Sequence, residues 1–375
     1  MKILYVTTIS NTINAFMIPH IRLLLDQGHQ VDIACNINKN ISIELTERGC
    51  RVFNISFQRS PLSRENYGAY KQLRELILKE QYELVHTHTP IASACVRLAC
   101  KKMKNVKVVY TAHGFHFFKK APLSNWLVYY PIERYLAKYT DVLITINKED
   151  YERAKRSFKA KEVRYIPGVG IDTKGYIEYK SINKDKKREE LGIPNETFTI
   201  LSVGELNRNK NHETVIRAIS SLGNKKINYI ICGAGSLHTY LEDLIKKLGI
   251  EEQVRLLGYR TDIKEICQTA DVFAFPSMRE GLGLAALEAM ASGLPIITSN
   301  VHGIVDYSVD GVTGFTCDPT DIKGFAQSID RLYKSKVNRE AMGQHNQDAV
   351  KVFDVDNTNK ILKNIYKKLE METIN

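Results

Sequence analysis

Short apolar runs alternate with amphipathic segments along most of the chain, and most of these runs are rich in β-branched residues. Runs that are apolar on both faces are typical of parallel strands buried between helices. They cover residues 3–6, 31–34, 52–55, 84–85, 106–110 and 142–146 in the first half, then 199–203, 229–232, 254–257, 272–275 and 295–298 in the second. The pattern predicts an α/β protein built from two doubly wound parallel sheets.

The alternation breaks around residues 173–197. Residues 174–195 are polar, carry a charged run at 184–188 and are closed by Pro194. Such a stretch is typical of a domain boundary. We therefore predict an N-terminal domain at residues 1–173, a C-terminal domain at 174–353, and a last helix within 354–375.

The composition is that of an ordinary globular protein, with 43% hydrophobic and 25% charged residues among 375. The seven cysteines contain no CxxC pair, which favours a reduced compartment without a zinc site or disulfides. No run approaches the roughly 18 apolar residues of a membrane span. The first residues turn polar at once, unlike a signal peptide. We expect a cytoplasmic protein.

The net positive charge of the chain lies entirely in its first half. Residues 1–175 contain 27 Lys and Arg against 15 Asp and Glu, whereas residues 176–375 contain 26 against 27. A basic domain beside a neutral one suggests nucleic acid or acidic lipid headgroups as the partner of that half. The first half carries no helix-turn-helix, zinc-finger or RNA-binding signature, so we expect no nucleic acid.

In open α/β sheets, ligands bind beyond the carboxyl ends of the strands. The loop at residues 276–283 follows a buried strand and leads into a helix that Gly293 ends. Amides at Gly281 and Gly283 could approach an anion, while Glu280 and Glu288 could accept hydrogen bonds from sugar or ribose hydroxyls. The alternative is that both carboxylates have only structural roles on the helix.

Two further loops offer candidate ligands. In residues 204–211, Arg208 and Lys210 could hold a diphosphate, or they could belong to a solvated turn. His113 follows a strand and precedes a glycine, where it could reach a ligand or simply end the strand. The aromatic and basic residues at 115–138 suit either an interfacial membrane segment or a helix that packs into the core.

Other short motifs indicate structure. The Gly233-Ala234-Gly235 turn lacks the rest of a dinucleotide fingerprint and predicts a tight turn. There is no GxxxxGK[ST] phosphate loop and no GxSxG elbow. Asp354-Val355-Asp356 is the only DxD triplet. It is interpreted as a helix start, so we expect no metal site.

The sequence EGLGLAALE, from Glu280 to Glu288, resembles the E-x7-E signature of retaining glycosyltransferases of family 4. VGELNRNKN is similar to that family's diphosphate loop, and LGYRTDI, GVTGF and IPGVGID resemble further family segments. HGFHFF, NWLVYYPIERYLAKYTDVLITIN and SNTINAF are most similar to transferases of bacterial capsule and exopolysaccharide assembly. The resemblance covers nearly the whole chain.

This resemblance implies a GT-B fold: two Rossmann-like domains that face a central cleft, with a last helix, residues 357–368, that crosses back to the first domain. The first domain would bind the acceptor and face the membrane, and the second would bind a nucleotide-sugar, with UDP as the default. The acceptor would be a lipid-diphosphate-linked saccharide at the inner face of the cell membrane. No metal and no cofactor would be required.

The resemblance also implies residue roles. Lys210, with Arg208 beside it, would hold the donor diphosphate, and Glu288 the ribose hydroxyls. Glu280 would hold the sugar hydroxyls. His113 would approach the transferred sugar, so His113 and Glu280 are the catalytic candidates. The amides of Gly281, Leu282 and Gly283 would complete the donor site.

The chain departs from the family pattern at Glu205, where many members have a phosphate-binding Arg. Two alternative functions remain besides glycosyl transfer. A GT-B epimerase or phosphorylase would share the fold, although E-x7-E counts against it. The alternative that is not an enzyme is a basic nucleic-acid-binding protein.

Overall fold

The structure is a computed structural model that describes residues 1–58, 60, 63–179 and 182–374. Contacts divide the chain into two units, the first of Met1–Gly170 with Val355–Asn375 and the second of Ile171–Asp354. Residues 180 and 181 of the polar segment, and residue 375 of the predicted last domain, lie outside the described residues.

A parallel sheet forms the centre of the first unit. Its strands are β1 (Lys2–Ile9), β2 (Gln30–Asn36), β3 (Val52–Asn54), β4 (Leu84–Thr87), β5 (Lys107–Ala112), β6 (Val142–Thr145) and β7 (Glu162–Tyr165). Their order is β3-β2-β1-β4-β5-β6-β7, with every pair parallel. Ile3, Leu4, Tyr5 and Val6 of the central β1 are fully buried, because helices cover both faces of the sheet.

The helices of the first unit connect these strands. They are α1 (Ser10–Thr12), a π turn (Ile13–Met17), α2 (Ile18–Asp26), α3 (Ile43–Glu47), α4 (Glu65–Glu80), α5 (Pro90–Cys100), α6 (Leu123–Leu136) and α7 (Lys148–Ser157). A 3-10 turn (Ala137–Tyr139) extends α6.

A second parallel sheet forms the centre of the other unit. Its strands are β8 (Phe198–Val203), β9 (Ile227–Cys232), β10 (Val254–Leu256), β11 (Val272–Phe275), β12 (Ile296–Ser299) and β13 (Gly314–Cys317), in the order β10-β9-β8-β11-β12-β13. The expected fold class, two doubly wound parallel sheets, is confirmed.

Helices again follow the strands of the second unit. They are α8 (Thr173–Ile177), α9 (Lys184–Glu190), α10 (His212–Leu222), α11 (His238–Leu248), α12 (Ile263–Thr269), α13 (Leu284–Ala291), α14 (Ile322–Lys334) and α15 (Lys336–Ala349). Two 3-10 turns are His302–Asp306 and Val350–Phe353. Gly249 ends α11 with a φ of +66°, a conformation that favours glycine.

The polar stretch that suggested a domain boundary folds inside the second unit as α8 and α9. Its charges find partners there: Arg188 is buried and donates to the carbonyl oxygens of Thr269 at 2.9 Å and Pro194 at 2.8 Å. The division falls at residues 170/171 and 354/355, close to the expected bounds at 173/174 and 353/354. Ile171 N donates to Phe353 O at 3.0 Å, so the two ends of the second unit are neighbours.

The last helix, α16 (Val355–Ile374), belongs to the first unit. Tyr366 lies on its buried face, and its hydroxyl is 2.8 Å from the hydroxyl of Tyr5 in β1. Asn359 Oδ1 is 2.8 Å from His20 Nδ1 in α2. The first unit therefore combines residues from both ends of the chain.

Candidate active site

Lys210 and Glu280 form an ion pair in the second unit. The Lys210 side chain passes over Gly204, where an added Cβ would lie 3.1 Å from Lys210 Cδ. Its Nζ donates to Glu280 Oε1 at 2.6 Å and lies 4.9 Å from the centre of the Phe275 ring. The structure thus brings together the residue proposed for the diphosphate and the first glutamate of E-x7-E.

The two loops that carry this pair are tied by asparagine side chains and backbone. They follow the neighbouring strands β8 and β11. Met278 N donates to Asn209 O at 2.7 Å, and Asn209 Nδ2 donates to Arg279 O at 2.9 Å. Asn211, with a φ of +55°, donates to Pro276 O at 3.0 Å. Sequence reasoning missed these asparagines, although Asn tolerates the left-handed conformation that such a turn needs.

The glycine segment after Glu280 leads into α13 by a tightly packed path. Gly283 has a φ of +96°, and an added Cβ would lie 2.5 Å from Phe275 Cε1. A Cβ on Gly303 would lie 1.9 Å from Gly281 O, so this neighbouring turn also requires glycine. The Leu282 side chain is buried, which leaves only its backbone for a ligand. The first turn of α13 thus begins beside the Lys210–Glu280 pair.

Glu288 lies on α13 and is mostly buried. Burial raises the pKa of its carboxyl group to about 7, although a hydrogen bond from the Tyr176 hydroxyl and the positive charge of Lys264 act in the opposite direction. Lys264 Nζ lies 4.7 Å from the Tyr176 ring centre and 2.9 Å from Asp172 Oδ2. Sequence reasoning missed Tyr176 because it lies in the polar stretch interpreted as a boundary.

Glu288 lines a cavity of about 370 Å³ at the surface of the second unit. The other lining residues are Tyr176, Tyr179, Thr261, Asp262, Ile263, Lys264 and Glu265. Three of them, Thr261, Asp262 and Ile263, belong to the segment LGYRTDI that resembles the nucleobase loop of the family. The cavity therefore brings the second glutamate of E-x7-E together with that loop.

Arg208 lies apart from this group. Its side chain is exposed and lines a different cavity of about 540 Å³, together with His212, Tyr240 and other residues. Within the part of the chain that the structure describes, Arg208 forms no hydrogen bond or ion pair. Glu205, which stands where the family often has Arg, is exposed as well.

The Gly233-Ala234-Gly235 turn supports the Lys210 loop. An added Cβ on Gly235 would lie 2.4 Å from Leu206 O. Leu206 N donates to Ala234 O at 3.0 Å, and Leu237 N donates to Leu206 O at 2.9 Å. These glycines permit two backbones to approach each other, which agrees with the prediction of a tight turn.

His113 follows β5 in the first unit and is half-buried. Its Nε2 lies 3.2 Å from Nδ1 of His88, which follows the neighbouring β4. Burial lowers the pKa of His113 to about 4, so its ring is neutral at pH 7. Sequence reasoning missed His88, whose signal was the alternation His86-Thr87-His88 at the end of a predicted strand.

The aromatic residues after His113 are mainly core residues. Phe115, Phe117 and Phe118 are buried, and Trp126 packs against Phe117 with Arg153 4.5 Å above its ring. If residues 115–138 formed an interfacial membrane segment, as one of the two alternatives from the sequence has it, Phe117, Phe118 or Trp126 would be the aromatic side chains that insert. Phe117 and Phe118 are buried and therefore not available for insertion, and Phe117 packs between α6 and the sheet.

A different set of residues forms the apolar outer face of α6. Leu123 is 73% exposed and Leu127 is 69% exposed, followed by Val128 and Ile132 at about half. Their spacing places them along one side of the helix. Lys119, Lys120, Arg134 and Lys138 are also exposed nearby in the chain. Among the described residues, no helix combines the length and apolar character needed to cross a bilayer.

The DxD triplet lies where the chain passes from the second unit to α16. Asp354 is buried, and its carboxylate accepts hydrogen bonds from the backbone and hydroxyl of Thr173. Within the described ranges, no group of three or more His, Cys, Asp or Glu side chains is arranged to hold a metal ion. Asp354 thus ties the start of the second unit to its end.

Two family descriptions match the chain. Glycosyl transferases group 1 match residues 183–349, and Glycosyl transferase 4-like proteins match residues 2–147. Bacillus subtilis (strain 168) EpsD, which is named as a glycosyltransferase, is 35% identical over 379 residues, covering 99% of this chain and 98% of EpsD.

A second relative has a more specific name. The Escherichia coli UDP-Gal:alpha-D-GlcNAc-diphosphoundecaprenol alpha-1,3-galactosyltransferase is 32% identical over 273 residues, 71% of this chain and 70% of that protein. Among solved structures, Anabaena HepE in complex with UDP-glucose matches with a TM-score of 0.80 at 20% identity, covering 98% of this chain and 100% of HepE. At this identity the likeness shows the fold alone.

Proposed function

The chain belongs to the group 1, family-4-like glycosyltransferases, and on this premise we propose that it transfers a hexose or N-acetylhexosamine from a UDP-sugar to a lipid-diphosphate-linked saccharide. Transfer would retain the anomeric configuration and serve capsule or exopolysaccharide assembly. The observation that carries the proposal is the contact of Lys210 with Glu280 on the loop that leads into the helix of Glu288. A cation and two carboxylates in this arrangement suit a diphosphate flanked by two sets of hydroxyls.

The donor would bind along the carboxyl edge of the second sheet. Lys210 would hold the diphosphate as a point charge, and Glu288 would accept hydrogen bonds from the ribose hydroxyls. Glu280 and the amides of Gly281, Leu282 and Gly283 would bind the sugar, beside the positive end of α13. Arg208, exposed and without an ion pair among the described residues, can reorient toward the diphosphate and remains part of the proposal.

The reaction would proceed on one face of the sugar. The bond from the anomeric carbon to the diphosphate breaks while the acceptor oxygen attacks from the same side, and a donor phosphate oxygen takes the acceptor proton. Lys210 would stabilise the charge on the leaving diphosphate. His113 would contact the transferred sugar near the reaction centre. The remaining contribution of the protein is to hold the two substrates in position.

The proposed acceptor and the proposed binding to the membrane rest on the charge of the first half, the exposed apolar surface of α6 and the likeness to a relative. The name of the E. coli relative describes a saccharide carried on diphosphoundecaprenol. The first half of the chain is strongly basic, and α6 presents Leu123 and Leu127 to the outside. An apolar helix face near lysines suits peripheral binding to an anionic leaflet. This would place the protein at the inner face of the cell membrane, where it meets a lipid-linked substrate.

A panel of nucleotide-sugars tests the donor. A ligand at 100 times its Kd raises the free energy of unfolding by about 2.7 kcal/mol. We expect UDP-sugars to raise the melting temperature more than GDP- or ADP-sugars. The selected donor is then incubated with polyprenyl-diphosphate saccharides, and the anomeric configuration of the product is determined by NMR. Consumption of the donor without an acceptor would favour an epimerase and contradict the proposal.

A further inference from the structure

The ring of His88 is held between other rings in the core of the first unit. Tyr5 stacks on it with ring centres 5.1 Å apart, and the His86 ring lies 4.2 Å away. His86 is itself fixed, since its Nδ1 is hydrogen-bonded to the hydroxyl of Tyr366 and its Nε2 lies 2.8 Å from Thr111 Oγ1. His88 therefore presents Nδ1 to His113 in a fixed direction.

The two nitrogens of His88 have unequal surroundings. Nδ1 meets His113 Nε2, whereas Nε2 is buried without a hydrogen-bond partner among the residues that the structure describes. Burial holds the pKa of His88 well below its ordinary value, so the neutral ring carries one proton. A buried N–H without a partner is rarer in proteins than an acceptor with an unused lone pair. The proton of His88 thus belongs on Nδ1.

The proton on His88 Nδ1 determines which ring nitrogen of His113 is protonated. If His88 donates from Nδ1, then Nε2 of His113 accepts, and the single proton of a neutral His113 ring lies on its Nδ1. We propose that His88 is a positioning residue that holds His113 as the Nδ1–H tautomer, so that His113 donates a hydrogen bond to an oxygen of the transferred sugar and does not act as a base. The sugar contact rests on the proposed function, whereas the tautomer does not.

The tautomer can be measured without any substrate. Protonated and unprotonated ring nitrogens have well-separated 15N shifts, so the full chain labelled with 15N-histidine reports which His113 nitrogen carries the proton. We expect Nδ1 in the wild type. In His88→Leu the preference is lost, and in His88→Asn, whose amide can donate from nearly the same position, it is retained. Protonation of His113 at Nε2 in the wild type would overturn the proposal, whether or not the protein transfers sugar.

Kinetics test the role of the proton. We expect His88→Leu to lower kcat/KM by about tenfold, and His88→Asn to restore most of it. His29→Asn, at another buried histidine of the first unit, controls for general destabilisation. The affinity of each variant for UDP is measured as well, to show that the proposed donor site in the second unit is unaffected. His113→Leu should lose about 10- to 100-fold in kcat/KM, with most of it recovered in His113→Asn, which keeps a donor but no base. If His113→Asn is as impaired as His113→Leu, the donor role is wrong.

Discussion

Lys210 Nζ and Glu280 Oε1 are 2.6 Å apart, so the cation and the carboxylate proposed for the donor already neutralise each other. Both side chains are mostly buried, with 21% and 15% of their surfaces exposed. A diphosphate that binds here must share the ammonium of Lys210 with Glu280. The two residues therefore cannot contribute independently to nucleotide affinity.

We predict opposite effects for the two members of this pair. Lys210→Ala removes a charge-assisted contact worth about 1.5–3 kcal/mol and leaves a carboxylate beside the phosphates. Its affinity for UDP should fall at least tenfold. Glu280→Gln frees the ammonium, so UDP affinity should be unchanged or higher while sugar transfer falls. Calorimetry on both variants and on Lys210→Ala/Glu280→Gln gives the coupling, with exposed Lys225→Ala as the control. Equal losses of UDP affinity in both single variants would contradict the shared site.

We predict that UDP affinity rises as pH increases through about 7. Tyr176, Lys264 and Cys267 surround Glu288, whose pKa burial raises to about 7. The ionised carboxylate can accept a hydrogen bond from both ribose hydroxyls, whereas in the protonated form one of its oxygens carries a proton and acts as a donor. Calorimetry from pH 5.5 to 8.5 on wild type and Glu288→Gln separates this effect from titration of UDP, which both proteins share. Parallel profiles would show that Glu288 does not contact the ribose.

The same carboxyl group affects stability with a defined sign. Its folded pKa lies above its ordinary value of 4.5. At pH values between about 4.5 and 7, Glu288 is protonated more often in the folded chain than in the unfolded chain. The contribution of Glu288 to stability is therefore lost as pH rises through this range. Glu288→Gln should remove that part of the pH dependence.

We predict salt-sensitive binding to anionic vesicles through α6. Each basic residue near an anionic surface contributes about 1 kcal/mol, within a Debye length of about 8 Å. Insertion of an exposed leucine adds about 1.5–3 kcal/mol. Leu127→Ser should therefore weaken binding about tenfold or more, whereas Val337→Ser, at a similarly exposed site of the second unit, should not. Sedimentation with anionic and neutral vesicles at two salt concentrations measures this. Equal binding to both vesicle types would favour a soluble acceptor.

We predict that turnover survives excess EDTA. Lys210 and the amides at the start of α13 offer positive potential to the leaving diphosphate, and the Asp354 carboxylate is engaged by Thr173. Asp356→Ala should likewise leave turnover unchanged. Activity that is lost in EDTA and restored by Mg²⁺ or Mn²⁺ would show that a metal is required.

Most strands could be predicted from sequence, including β3 and β10 at two of the four sheet edges, but the strands at the other two edges could not. Each of the eleven apolar runs corresponds to a strand, because strands covered on both faces need continuous apolar residues. The missed strands, β7 and β13, lie at sheet edges. β7 alternates Glu162 and Arg164 with apolar residues, and β13 begins with Gly314, so neither reads as a buried strand.

The candidate site could also be predicted from sequence only in part. Motif spacing identified Lys210, Glu280 and Glu288, which lie in loops and helices at strand ends. It could not pair Lys210 with Glu280, 70 residues away, or Tyr176 with Glu288. Such pairs depend on which strands become neighbours in the sheet. His88 was missed for the same reason, since its partner His113 follows the adjacent strand.

The return of α16 to the first unit has a consequence for synthesis on the ribosome. Residues 171–354 are translated between the two parts of the first unit. At 5–20 residues per second this takes roughly 10 to 40 seconds. Throughout that time Tyr5 and His86 lack the hydroxyl of Tyr366, and His20 lacks Asn359. A premature stop codon near the 3′ end of the reading frame would therefore damage the part of the protein that is translated first and leave the part translated later complete.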